Sequence, residues 1–239
     1  MIESVNNDRV KMWAKLNDKK YQSEAQKFLV EGEHLVEEAN ASGNLLEVLV
    51  LSGYELDYEN VTIVSEAVMK KISNLTSVPR IIGIARMITP RDIRGNVLLL
   101  DGVQDPGNMG TIIRSAVAFG IDTIVLGEGT VSIYNPKVVR ASEGLIFHMN
   151  FVEASIERVI PELKTHGYKI FSSKVDGGKT LSEIEFAEQN AFIVGSEGRG
   201  VRPSLGEMCD EYLYIPMDSK CESLNVGVAT SIILYELNR

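Results

Sequence analysis

The chain closes with A-F-I-V-G-S-E-G-R-G-V-R-P-S-L (191–205), Y-L-Y-I-P-M (212–217) and E-S-L-N-V-G-V-A-T-S-I-I-L-Y-E-L (222–237). Two short apolar runs each deliver the chain into a polar turn, and the second turn opens a long helical segment. In the first turn Gly195, Gly198 and Gly200 flank Ser196, Glu197 and Arg199. Three glycines in so short a span permit positive φ and close approach of main chain to a ligand. The second turn holds Ser223, Leu224 and Asn225 where the helix begins, so its first N–H groups can join a polar site. Either turn alone reads as an ordinary strand-to-helix connection. Together they predict one composite site.

Upstream, N-V-L-L-L-D-G (96–102) is an apolar strand, and V-Q-D-P-G-N-M-G (103–110) reads as a loop entering the helix T-I-I-R-S-A-V-A-F-G (111–120). D-T-I-V-L-G, P-K-V-V-R-A-S-E-G with Pro136 in a first helical turn, H-M-N-F-V, a helix over 155–166 and Y-K-I-F-S-S follow, with D-G-G-K-T (176–180) read as loop. Repeated strand–helix units with near-continuous apolar strands predict a parallel sheet covered on both faces. Earlier still, a basic helix over 8–20 precedes K-F-L-V-E-G, a helix over 33–41, L-E-V-L-V-L-S, V-T-I-V, a helix capped by Ser65, and R-I-I-G-I-A-R. The polar T-P-R-D-I-R-G-N (89–96) suits a linker between a first domain, 1–88, and a second, 97–239. The fold class is α/β.

A net charge of −9 argues against a protein that coats nucleic acid non-specifically. Within 9–27 the sign reverses: Arg9, Lys11, Lys15, Lys19, Lys20 and Lys27 outnumber Asp18 and Glu24. Such a patch binds phosphate or is a solvated helix face. Cys209 and Cys221 have no His or further Cys at ligand spacing, so no metal is expected and both read as reduced thiols. The N-terminus lacks the blocks of a signal peptide and no apolar run reaches membrane length, giving a cytoplasmic expectation.

Neither G-x-G-x-x-G after a strand nor G-x-x-x-x-G-K-[ST] occurs, which removes the usual nucleotide-binding signatures of α/β proteins. The glycine loop offers instead Asn108 and, further along the helix, Arg114. Set among apolar neighbours, Arg114 reads as half-buried with an anionic partner, either a structural carboxylate or a ligand.

N-M-G-T-I-I-R-S-A-V-A-F-G, F-I-V-G-S-E-G-R-G-V and I-P-M-D-S-K-C-E-S-L-N-V-G-V-A resemble, in order and spacing, the three motifs of the SpoU (TrmH-like) RNA ribose 2′-O-methyltransferases. Y-N-P-K-V-V-R-A-S-E-G resembles the segment that family places between its first two motifs. L-N-D-K-K-Y-Q-S-E-A-Q-K-F-L-V-E-G-E-H-L-V-E-E-A is similar to its ribosomal-protein-like RNA-binding domain. The resemblance implies a C-terminal domain with a deep trefoil knot, S-adenosylmethionine bound in that knot, and a homodimer packed through the C-terminal helix. By position, Gly195, Ile215 and Leu224 match the cofactor contacts. Asn108, Arg114, Glu197, Ser223 and Asn225 match the catalytic set, and Lys19 and Lys20 the RNA contacts.

The resemblance gives Arg114 the part of proton acceptor for the 2′-hydroxyl. A guanidinium with a pKa above about 12 is a poor base, and stabilising the developing alkoxide while clamping phosphate is physically easier. Glu197 either anchors the loops or orients Arg114. Departures from the pattern are Gln22, where relatives often carry Arg, Ser219 for a common glycine and Gly227 for a common serine. Ribosomal RNA is the expected substrate. Transfer RNA, a base target, or a relative that binds RNA without catalysis are the alternatives.

Overall fold

The computed structural model describes residues 1–175 and 177–238, in two compact units. The first comprises Met1–Thr89 and Ser132–His148, the second Pro90–Val131 and Met149–Arg239.

In the first unit the expected single helix over 8–20 is two: α1 (Asp8–Lys15), capped by Asn7, and α2 (Lys19–Ala25), capped by Asp18. The Asp18 carboxylate accepts from Lys20 N at 2.8 Å, and this cap restarts the helix in a new direction. There follow β1 (Lys27–Glu31), α3 (Glu33–Ala41), β2 (Leu45–Leu51), β3 (Val61–Val64), α4 (Glu66–Ile72) and β4 (Ile81–Arg86). Their sheet has the order β1-β4-β2-β3, antiparallel except for the β2–β3 pair. Val10, Trp13 and Leu16 of the α1 region pack with Leu49, Val68, Met69 and Ile82 in its core. Gln22, the departure from a common Arg, is 2% exposed, its Nε2 donating to the Leu16 and Tyr134 carbonyls at 2.8 and 3.0 Å, so its side chain serves the unit's own packing.

In the second unit β5 (Val97–Asp101) leads to α5 (Pro106–Ala118) and β6 (Thr123–Leu126). The next segment, with α6 (Pro136–Ala141), packs inside the first unit, where Tyr134 lies 4.8 Å from the Phe28 ring. Sequence order had placed it in the second domain. Its apolar side, with Val138, Val139 and Ile146 buried, joins the core around β1 instead. The second unit resumes with β7 (Asn150–Glu153), α7 (Ile156–Thr165), β8 (Lys169–Ser173), β9 (Lys179–Thr180), β10 (Asn190–Gly195), α8 (Pro203–Gly206), β11 (Glu211–Tyr214) and α9 (Val226–Leu237). Of the expected 176–180 loop, Asp176 lies outside the described residues and β9 is a short strand.

All seven strands of this sheet are parallel, in the order β7-β6-β5-β10-β8-β11-β9. β5, β6 and β10 are buried at every residue, as strands covered on both faces must be. The order reverses direction beside β5, so the loops after β5 and β10 leave the same sheet edge as neighbours.

Candidate active site

β5 and β10 end in register, with Asp101 opposite Gly195. Open parallel sheets bind ligands beyond such carboxyl ends. After β5, Asp105 caps α5: its Oδ1 accepts from Asn108 N at 2.8 Å, while Pro106 takes a position that needs no N–H. Asn108 therefore stands in the first turn of α5, not in a loop.

Glu197, from the loop after β10, reaches across to this helix start. Its Oε1 accepts from Asn108 Nδ2 at 2.9 Å and Asp105 N at 3.1 Å, and its Oε2 from Gln104 N at 3.2 Å. A carboxylate can only accept, so Asn108 must turn its Nδ2 to Glu197 and its Oδ1 outward. That Oδ1 accepts from Asn225 Nδ2 at 2.7 Å. Asn225 in turn spends its Oδ1 on the N–H groups of Gly227 and Val228, at 2.9 and 3.2 Å, capping α9. The terminal helix thus starts at Val226, and two of its first N–H groups go to the cap. Every amide orientation from Glu197 to Asn225 is set by its neighbours. Glu197 is a clasp between two loops and makes no ion pair with Arg114 among the described residues.

Burial disfavours the Glu197 charge, but the Asn108 amide and the N–H groups of Glu197, Asp105 and Gln104 outweigh it and hold the carboxyl below its ordinary value. A carboxyl depressed in the folded state adds stability above its unfolded pKa, near 4.3, and loses it as pH falls through the folded value. Glu197→Gln should therefore melt below wild type at neutral pH. The gap should close as pH falls below about 4 in thermal melts. A gap that persists in acid would contradict the clasp.

Arg114 is not half-buried as expected: it is exposed on α5 and forms no ion pair among the described residues. Ile112, Ile113 and Ala116 take the core side, and a residue two positions from both Ile112 and Ala116 falls on the opposite face.

Between the loop after β10, the segments after β8 and β11, and α9 lies a cavity of about 610 Å³, within the range of small-molecule sites. Leu213, Ile215, Leu224, Val226 and Ile233 form apolar wall, and residues 195–201 form a largely main-chain rim. Gly195, Ile215, Leu224, Glu197, Ser223 and Asn225 all line it. Asn108 is tied to it through Glu197 and Asn225, whereas Arg114 does not line it. Lys19 and Lys20 belong to the first unit, exposed on α2. Sequence reasoning missed Asp101, Gln104, Asp105 and Arg202. An aspartate ending an apolar strand and an Asp-Pro pair before a helix were the available signals.

The glycines divide their work. A Cβ on Gly195 would lie 1.9 Å from the Gly200 carbonyl carbon, so glycine is required there for the loop's close return past the end of β10. Gly200 has φ +66°, and Gly198 faces open space. On α9, a Cβ at Gly227 would meet Thr111 Cγ2 at 3.0 Å, so its departure to glycine fits the close packing of α5 on α9. Burial pushes the Cys209 thiol up to about 11, and Cys221 is exposed; both are free. Among the described residues no three His, Cys, Asp or Glu side chains form a metal cluster.

The SpoU rRNA Methylase family model matches residues 95–235, more than half of the chain and all of this site. The chain belongs to the SpoU rRNA methylase family. A second model, the MRM3-like substrate binding domain, matches residues 7–83. The Bacillus subtilis 23S rRNA (guanosine(2553)-2′-O)-methyltransferase RlmP is 39% identical, over 99% of this chain and 98% of its own length. A crystal structure of an RNA 2′-O ribose methyltransferase superposes with a TM-score of 0.84 at 31% identity, covering 98% of this chain and 96% of that one. An AdoMet-bound rRNA methyltransferase from Sinorhizobium meliloti gives a TM-score of 0.87 at 26% identity, covering 98% and 95%.

The SpoU site of this chain fits S-adenosylmethionine. Its apolar wall suits an adenine ring, and the loop's close return at Gly195 brings main chain to the rim where a polar tail needs hydrogen-bond partners. Gly195, Ile215 and Leu224 would hold it.

Proposed function

We propose that this chain transfers the methyl group of S-adenosylmethionine to a ribose 2′-hydroxyl of ribosomal RNA. The observation that carries the reading is the Glu197–Asn108–Asn225 chain, with all its amides oriented, on the rim of the cavity that fits the cofactor. When bound, the cofactor supplies a methyl already activated by its sulfonium. The protein's part is to align the 2′-oxygen and to lower the cost of its negative charge. Arg114, exposed and without an ion-pair partner among the described residues, serves by clamping an RNA phosphate and donating to the developing alkoxide. Ser223 and Asn225, at the cavity edge, stand where the ribose would enter. The trefoil threading belongs to the proposal, supported by the likeness to the solved RNA 2′-O ribose methyltransferase. The 39% identical full-length relative favours ribosomal over transfer RNA, which puts the reaction in the cytoplasm. No helix among the described residues is long and apolar enough to cross a membrane.

RNA is recognised by the first unit through α1 and α2. Arg9, Lys11, Lys15, Lys19 and Lys20 are exposed there, with Lys15 and Lys20 over the Tyr21 ring at 4.9 and 5.7 Å. Residues 28–69 hold nine Asp and Glu and no Lys or Arg, so phosphate is repelled from that stretch of the unit. In the full chain, Lys19→Glu with Lys20→Glu should weaken rRNA binding by about tenfold or more and flatten its salt dependence by about two phosphates. Unchanged affinity at matched salt would reduce the patch to a solvated face.

The active species is a homodimer packed through α9. Val228, Ile232 and Tyr235, four and three residues apart, are 46%, 36% and 57% exposed on one helix face. Tyr235 meets Phe119 of the α5 end edge-on at 5.8 Å, which carries the apolar surface toward the helix of Arg114. Ile232→Asp should yield a monomer by light scattering. A wild-type monomer at micromolar concentration would overturn the dimer.

A further inference from the structure

We propose that Asp101 and Arg202 are a positioning pair that keeps the cofactor loop, residues 196–201, closed from outside the cavity. The inference rests on the S-adenosylmethionine reading above and deepens it.

Asp101 is the last residue of β5 and 4% exposed. Both of its oxygens are taken by a single residue: Oδ2 accepts from Arg202 N at 2.8 Å and Oδ1 from Arg202 Nε at 2.7 Å. Gly195 lies opposite Asp101 in the sheet register. The loop therefore leaves beside Asp101 at Gly195 and returns to it at Arg202, seven residues later. All six intervening residues line the cavity, while neither Asp101 nor Arg202 does. The pair lies outside the cavity lining; what it closes is the loop that lines it.

Two further contacts show that the guanidinium is aimed. Arg202 Nη1 reaches Glu157 Oε1 at 2.7 Å, and the other oxygen of Glu157 accepts from Ser155 Oγ at 2.9 Å. The α7 end of the sheet thus braces Arg202 from behind. Inside the loop, Ser196 and Gly200 exchange backbone bonds at 3.2 and 2.9 Å, and Glu197 grips the α5 start. These bonds shape the loop, and Val201 packs against the core beside β5 and β10. The Asp101–Arg202 contact adds the hydrogen bonds that tie the far end to the end of β5. With glycine at 198 and 200, an untied loop gains many conformations, and binding the cofactor must then order it. The cost falls on affinity, while the chemical step, which uses α5 and α9, is untouched once cofactor is bound.

The experiment uses the full chain with Asp101→Asn, Arg202→Met and the double variant. S-adenosylmethionine affinity is read by calorimetry, single-turnover methylation at saturating cofactor with rRNA, and hydrogen exchange over 196–201. Each single variant should raise the Kd by about tenfold or more. The saturated rate should stay within about twofold, exchange in the loop should rise, and the double variant should bind no worse than the weaker single. Arg202→Met carries the test if buried Asp101→Asn fails to fold, since the Arg202 side chain is 44% exposed. A Kd within twofold of wild type, with only the melting temperature lowered, would overturn the pair as a positioning device. Additive losses in the double variant would do the same. Wild type that binds no S-adenosylmethionine would overturn the functional reading itself, and this inference with it.

Discussion

Arg114→Lys should leave melting temperature and S-adenosylmethionine affinity at wild-type values and cut the single-turnover methylation rate by about two or more orders of magnitude. The structure sharpens this expectation. An arginine in a structural ion pair would lose stability on substitution, but Arg114 is exposed and has no ion pair among the described residues. It does not line the cofactor cavity either, so donor binding has no reason to change. What lysine removes is the planar fork that can hold a phosphate and the 2′-oxygen together. Retained turnover with a lowered melting temperature would take Arg114 out of the reaction.

Gly195→Ala should abolish cofactor binding over the measurable range, about a hundredfold or more. The added methyl would sit 1.9 Å from the Gly200 carbonyl carbon and 2.1 Å from Val201 N. Both are backbone, so neither can rotate away, and the loop must lift off β10. Overpacking of this kind costs about 1–3 kcal/mol in general, which a 239-residue chain survives with a lower melting temperature. Lifting the loop also breaks the Glu197 clasp and opens the cavity rim. Gly198→Ala is the control: its Cβ would meet nothing within 4 Å, and binding should be near normal. Equal affinities for the two variants would show that the loop does not form the site.

These expectations depend on features of uneven legibility. The strands of the second unit could be read directly, because β5, β6 and β10 are apolar at nearly every residue and buried throughout. Of the site, Gly195, Ile215, Leu224, Glu197, Ser223 and Asn225 could be placed by motif, and the structure brings them to one cavity. The start of α5 was misread because D-P-G-N looks like a turn. Asp105 as cap and Pro106 behind it convert that turn into a helix, a signal local enough to have been used. The orientation of Arg114 was also available from the spacing of Ile112, Ile113 and Ala116. By contrast, nothing local in Pro136–Ala141 says which unit its apolar face joins, and nothing near Asp101 points to a partner 101 positions away. Those pairings are made by the tertiary fold.

The central claim is that this chain methylates a ribose oxygen of ribosomal RNA. The most direct test supplies the purified protein with S-adenosylmethionine carrying an isotopically labelled methyl group and with unmodified ribosomal and transfer RNA in parallel. The products are digested to nucleosides for mass spectrometry. The label should appear on the 2′-oxygen of one nucleotide in ribosomal RNA, and should vanish with Arg114→Lys. Label on a base, label in transfer RNA alone, or no label in the presence of bound cofactor would contradict the account.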